Sequence, residues 1–166
     1  SAIIISQALI IMSWQDAKFG TVVNIIILVV AIVALGQWSF RQVTMNTVRE
    51  MLPDEIGQPE MVTDETIQDL PPVVQKWLKQ SNVVGRARSV TVHITQRGEM
   101  RTNPDGNWIP FTAEQWFTTR DPGFVWLADV RAAPGVHLSG RDVFMNGQGH
   151  MLIKLLSLVP VVNSTG

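Results

Sequence analysis

Two hydrophobic periods divide this chain. From Thr21 to Trp38 the sequence TVVNIIILVVAIVALGQW is apolar almost without interruption, with no formal charge and with Asn24 and Gln37 as its only strongly polar side chains. About 20 apolar residues cross a hydrocarbon core of ~30 Å, so the run predicts a transmembrane helix. Trp38 and Phe40 stand at its end, where interfacial aromatics belong, and Arg41 follows as an anchor. A shorter apolar run, Ala2 to Trp14, comes first, and Gln15 to Gly20 between them reads as a tight polar turn flanked by Trp14 and Phe19. Together they predict a helical hairpin. The first run is too short to span alone and the chain opens on Ser, so that helix is expected to begin before Ser1. The preceding apolar run argues against a cleaved signal peptide.

Beyond Arg41 the pattern is that of a water-soluble domain. Val43 to Leu52 can prolong the helix; Pro53, Gly57 and Pro59 then mark a linker, and Thr63 or Asp64 can cap a short helical turn. Pro71-Pro72 opens a second helix, PPVVQKWLKQSN, ended by Asn82 or Gly85. Val73, Val74, Trp77 and Leu78 share one of its faces, which is expected to pack on a sheet. From Arg88 the period becomes 2, with Val90, Val92 and Ile94 pointing one way and Thr91, His93 and Thr95 the other. Strands are predicted through Gly98, a candidate bulge, and over Trp108–Thr119, Phe124–Val130, Val136–Met145 and Gly149–Leu156. Asn103-Pro104-Asp105-Gly106, Asp121-Pro122-Gly123, Ala133-Pro134-Gly135 and Asn146-Gly147 form the turns. HMLIKLLSL is equally compatible with a helix, and Asn163 to Gly166 reads as a loop. The expectation is an α+β chain: a transmembrane segment over 1–40, a linker over 41–62, and over 63–166 an antiparallel meander of about five strands, or half-barrel, under one covering helix. Five strands do not close, so the domain is expected to continue past Gly166.

Charge changes this picture in one place. Residues 41–75 carry Arg41 and Arg49 against Glu50, Asp54, Glu55, Glu60, Asp64, Glu65 and Asp69; residues 76–102 carry Lys76, Lys79, Arg86, Arg88, Arg97 and Arg101 against Glu99 alone. The acidic stretch can dock on the basic one, the basic one can face anionic headgroups, or both can be solvated faces. The net charge of −1 gives no bulk attraction to nucleic acid. The positive-inside rule sets Lys18 against Arg41 and Arg49, a margin of one charge that leaves the orientation open.

The chain contains no cysteine, which excludes disulfides, a Cys nucleophile and thiolate metal sites. His93, His137 and His150 show no helical ligand spacing, and HExxH, GxSxG, SxxK, Walker A and GxGxxG are absent, so no metal and no cofactor are expected. Glu114, set among aromatics in FTAEQW, is the carboxylate of most interest for acid–base work; the plainer reading puts it on the wet face of a strand. The aromatics say more. Trp108, Phe111, Trp116, Phe117, Phe124 and Trp126 crowd one region, and Trp116 and Phe117 must face opposite sides of a sheet. An apolar second face implies a greasy groove, a partner surface, or cover by further chain.

Several stretches resemble a family of bacterial membrane-anchored proteins defined only as a domain of unknown function. They include Trp14-x-Asp16-Ala17-Lys18-Phe19-Gly20, Leu70-Pro71-x-x-Val74-Gln75, Val83-Val84-Gly85-Arg86, Pro110-Phe111-Thr112-Ala113-Glu114-Gln115, Pro122-Gly123-Phe124-Val125-Trp126, Gly140-Arg141-Asp142 and Gly147-x-Gly149-x-Met151-x-x-Lys154-Leu155-x-x-Leu158-Val159-Pro160. The resemblance implies a bacterial cell-membrane location and no particular activity. The sheet pattern also resembles the half-barrel of lipoprotein carriers at the level of fold. The reading that follows is a membrane-tethered, non-enzymatic domain binding a lipid-like or other apolar ligand between the sheet and its covering helix. Trp108, Phe111, Trp116, Phe124 and Trp126 are the candidate apolar contacts, and Arg97, Arg101 and Arg141 the candidate headgroup partners. The bilayer is the expected partner and nucleic acid is not. A hydrolase completed beyond Gly166 and a scaffolding module are the alternatives.

Overall fold

The computed structural model describes residues 2–17, 19–53, 57–58 and 60–166. Lys18 of the interhelical turn, Asp54 and Glu55 of the acidic stretch, and Pro59 of the linker lie outside them. The N-terminal segment is α1 (Ala2–Met12), a single turn α2 (Trp14–Ala17) and the 33-residue helix α3 (Phe19–Met51). A turn is thus helical where a tight polar loop is expected. α3 is the one helix among the described residues long and apolar enough to cross a membrane. Its hairpin partner α1 is held by polar side chains. Asn24 is buried; its Nδ2 donates to Ser6 Oγ at 3.2 Å and Gln7 Oε1 at 3.0 Å, and Gln7 Nε2 donates to Thr21 Oγ1 at 3.2 Å. Polar side chains set among apolar ones pair with one another, and this network ties the two helices in register.

The linker expected over 41–62 begins as helix, because α3 runs on to Met51 without a break. Phe40, Thr44 and Val48, spaced by four, form a buried seam along it. Thr44 Oγ1 folds back on the carbonyl of Phe40 at 2.8 Å, which leaves its small methyl side against the sheet. After the linker, α4 (Asp64–Ile67) is capped by Thr63 in a reciprocal box with Thr66, and α5 (Pro72–Gln80) starts on Pro72 and ends before Asn82, whose φ is 55°. Acidic and basic stretches do meet: Lys79 reaches Asp64 at 2.6 Å and Arg88 reaches Glu60 at 3.5 Å. The side chains are mostly exposed, so these pairs steer the segment more than they stabilise it.

Six strands form one antiparallel sheet in sequence order: β1 (Thr91–Met100), β2 (Ile109–Thr118), β3 (Gly123–Ala133), β4 (Val136–Met145), β5 (Gln148–Leu155) and β6 (Val159–Thr165). The β4–β5 turn is Asn146-Gly147, with φ of 55° and 77°, values that Asn and Gly tolerate and a branched residue does not. HMLIKLLSL resolves as β5 and the following turn. The sixth strand replaces the expected loop; Pro160 has no N–H to donate, and the ladder accommodates it at a register shift on an outer strand. Gly98 makes no bulge: it stays in register opposite Phe111, and a Cβ there would lie 3.2 Å from the Phe111 ring.

The covering helix is not the expected one. α5 buries none of its residues, and Val73 and Trp77 of its apolar face are 74% and 62% exposed. α3 occupies that place. Phe40 and Val48 pack on Trp116, Val125, Leu127 and Val143, and Met51 and Met145 extend the cluster. α3 carries a longer buried seam, whereas the segment after α5 is bonded back to residues 60 and 62 through the Val62, Gly85 and Arg88 N–H groups. Val48→Asp, which buries an unpaired carboxylate, should cost about 3–5 kcal/mol. It should strip hydrogen-exchange protection from β3, while Val73→Asp on α5 should change stability by less than about 0.5 kcal/mol.

Candidate functional site

Strand alternation fixes which side chains meet α3. Registered pairs Trp116–Val125, Glu114–Leu127 and Thr112–Asp129 place these residues on one face, and Val125–Val143, Leu127–Arg141 and Asp129–Ser139 extend it to β4. This inner face is apolar toward the β2–β3 and β4–β5 turns, where the core lies. It is polar toward the opposite end, where α3 emerges from its apolar run.

There α3 and the sheet enclose a cleft of about 540 Å³, lined by Gln37, Phe40 and Arg41 from the helix and Thr95, Arg97, Thr112, Glu114, Leu127, Asp129 and Ser139 from the sheet. Glu114 is its electrostatic centre. Its carboxylate lies 2.7 Å from the Arg41 guanidinium and 3.5 Å from His93 Nε2, with the side chain 28% exposed. His93 in turn stacks flat on buried Trp116, centroids 4.7 Å apart. Deeper, Ser139 and Ser157 share a buried hydrogen bond of 2.6 Å, and one Asp129 oxygen is shut off from solvent with no hydrogen-bond partner. Gln37 closes the end of the cleft through a 2.5 Å contact with His137. The walls offer both charges, several hydroxyls and a short apolar floor.

The eight residues expected at a ligand site do not converge. Arg97 lines the cleft, Trp116 sits below its far end, and Arg141 lies across α3 from it on the same face. Burial pulls the Arg141 guanidinium below the usual arginine range. Phe111, Phe124 and Trp126 point to the outer face. There Phe111 tilts against Trp126, Phe124 stands between Phe117 and Phe144, and Trp126 Nε1 donates to Gln96 Oε1 at 2.9 Å. Trp108 and Arg101 pair with each other in the β1–β2 turn, the guanidinium 4.6 Å above the indole. No metal-holding cluster of His and carboxylates occurs among the described residues. From the sequence Arg41 reads as an anchor and Gln37 as a polar residue of the apolar run, Asp129 as one of several carboxylates and Ser139 as part of a turn; their meeting in one cleft was not expected. Alternation alone sets Asp129 beside Leu127 on one face; that Arg41 would reach Glu114 depended on how far α3 continues.

Ser139→Ala should leave the buried Ser157 hydroxyl unpaired and cost about 1–3 kcal/mol. Glu114→Gln, which removes a partly exposed ion pair, should cost under ~1 kcal/mol, and the difference should shrink with added salt. Thermal melting in mild detergent measures both.

The chain belongs to a family of unknown function, DUF6544, whose profile matches residues 60–166. That stretch holds α4, α5 and the entire sheet, and α3 precedes it. Neither a curated protein nor a solved structure matches the chain.

Proposed function

From membership of a family to which no activity is attached, we propose that this chain is a membrane-tethered, non-enzymatic binding domain, in a bacterial cell membrane on the resemblance described above, that holds an amphiphile in the α3-roofed cleft. One observation carries the reading: the helix with the length and composition of a membrane span continues unbroken into the roof of the cleft. The cleft therefore opens at Gln37–Arg41, where the apolar run ends and Trp38 marks a headgroup level. Its volume of about 540 Å³ suits a small ligand or the head of a larger one. Phe40 and Leu127 give apolar contact, and Arg41, Arg97, Glu114 and Asp129 present polar partners for a headgroup. The ligand this favours is part polar, since the cleft is not the continuous greasy groove that aromatics on one face would have built.

The test is lipid identification from protein purified in mild detergent. Wild type should retain a stoichiometric amphiphile, and Thr112→Trp, which fills the cleft from a partly exposed strand position, should release it with the melting temperature preserved. A wild-type protein that retains nothing, or a Thr112→Trp variant that retains as much, would sink the proposal.

A second reading, a membrane-bound hydrolase, is favoured by the Glu114–His93 contact in a polar cleft. It requires His93→Ala to abolish hydrolysis of a panel of ester and phosphoester substrates by the wild-type chain; no turnover by wild type removes it.

A further inference from the structure

α3 divides the inner face into two unlike flanks. Toward β1 and β2, cations meet carboxylates, as Arg41 meets Glu114. Toward β4 and β5 lies a second hollow of about 260 Å³, walled by Gly36, Ser39 and Phe40 on the helix and by Arg141, Lys154 and Leu158 on the sheet. Its two charged groups are both cations, and among the described residues neither stands in an ion pair. Arg141 reaches His150 Nδ1 at 3.4 Å and keeps a solvent-shielded Nε without a partner. Lys154 Nζ lies 5.7 Å from the centre of the Phe40 ring. The neighbouring carboxylates are committed elsewhere or turned away. Asp142 follows Arg141 in the strand and so faces the outer side, Glu114 is held by Arg41, and Asp129 lines the other cleft. Two partly desolvated cations side by side are costly unless an anion joins them.

The position of the hollow says which anion. Leu158 presses so closely on α3 that a Cβ at Gly36 would lie 2.6 Å from Leu158 Cδ2. The hollow thus sits at the end of the apolar run Thr21–Trp38. The β1–β2, β3–β4 and β5–β6 turns share this end of the meander, and they expose Trp108, Val136, Leu158 and Val159. The turns at the other end are Thr119-Arg120-Asp121-Pro122 and Asn146-Gly147, which are polar. Beside the Gly36 contact the sheet exposes Leu158 and Val159, whereas the β2–β3 and β4–β5 turns are polar.

We infer that the Arg141–Lys154 hollow binds the phosphate of an anionic lipid, with the acyl chains leaving past Leu158 along the exposed Ile32 side of α3. The inference deepens the proposed function in that it needs α3 in the membrane, but it uses a different hollow and different residues. Arg141 supplies a planar donor pair for phosphate oxygens, Lys154 a point charge, and Ser39 a hydroxyl at the mouth. A zwitterionic lipid brings a cation of its own toward two others and is disfavoured.

The experiment is native mass spectrometry of the full chain in mild detergent with equal amounts of phosphatidylglycerol and phosphatidylcholine. Wild type should prefer phosphatidylglycerol roughly tenfold. Lys154→Gln should bring the preference near unity, as should Arg141→Gln if its melting temperature shows that it folds; Lys76→Gln on α5, which lines neither hollow, should leave it unchanged. Competition by millimolar inorganic phosphate would support the phosphate site and assign it to the free anion as well, whereas phosphatidylglycerol that stays bound supports a lipid site. Equal retention of both lipids by wild type, or an unchanged preference in Lys154→Gln, overturns the inference. If that occurs while the Thr112→Trp-sensitive amphiphile is still retained, the proposed function survives; if alkaline carbonate extracts the chain from membranes, the tether falls and both readings with it.

Discussion

Everything in this structure hangs on the seam where α3 lies on the sheet. Phe40, Thr44 and Val48 recur every four residues and meet Trp116, Val125, Leu127 and Val143 on four-residue-high ground of the inner face. Each buried large apolar side chain contributes about 1.5–3 kcal/mol, and an open antiparallel sheet needs one such face covered. Because the covering element is the continuation of an apolar helix, the membrane-length segment and the roof of the domain are one unbroken helix. The position of the sheet relative to the apolar run is set by the packing of that helix on it.

That packing gives the polar end of the inner face its character. With α3 laid down the middle, charges that strand alternation puts on one face are sorted into two flanks. One flank neutralises itself through Arg41, Glu114 and His93, and the other keeps Arg141 and Lys154 without a counter-charge. The Gln37–His137 and Gly36–Leu158 contacts pin both flanks at the level where the apolar run ends. The family match begins at residue 60, yet the residues that roof its sheet lie before it. The sheet and α3 are therefore one folding unit in physical terms, although a profile of aligned positions divides them.

The outer face shows a different economy of packing. Phe111, Trp126, Phe117, Phe124 and Phe144 tile it with tilted and stacked rings, and the exposed Val92 and Ile94 of β1 continue the surface. Cross-strand aromatic pairs of this kind add roughly 0.2–1 kcal/mol each to a sheet. They stiffen the meander, and they explain why aromatics that looked like one ligand groove are split between two faces by the period of the strand.

Local signals carried the local structure. The apolar run from Val22, the change of period at Arg88, Thr63 as a cap and the Asn146-Gly147 turn each state their element in a few adjacent residues, because dihedral preference and hydrophobic period act over that range. The sequence by itself thus determined an α+β chain with a membrane-length helix and an antiparallel meander, down to the ends of β4. It misjudged β6, where Pro160 hides an outer strand, and it gave the sheet face to α5 where α3 covers it. α5 showed the clearer apolar stripe and lost, because cover is awarded by chain connectivity and shape match over the whole seam. The candidate sites followed from that choice: β4–β5 pairing sets Arg141 near Lys154, but Arg41 meets Glu114, and Gly36 and Phe40 wall the Arg141–Lys154 hollow, only once α3 lies on the sheet, and contacts between residues so far apart in the chain are decided by tertiary packing alone.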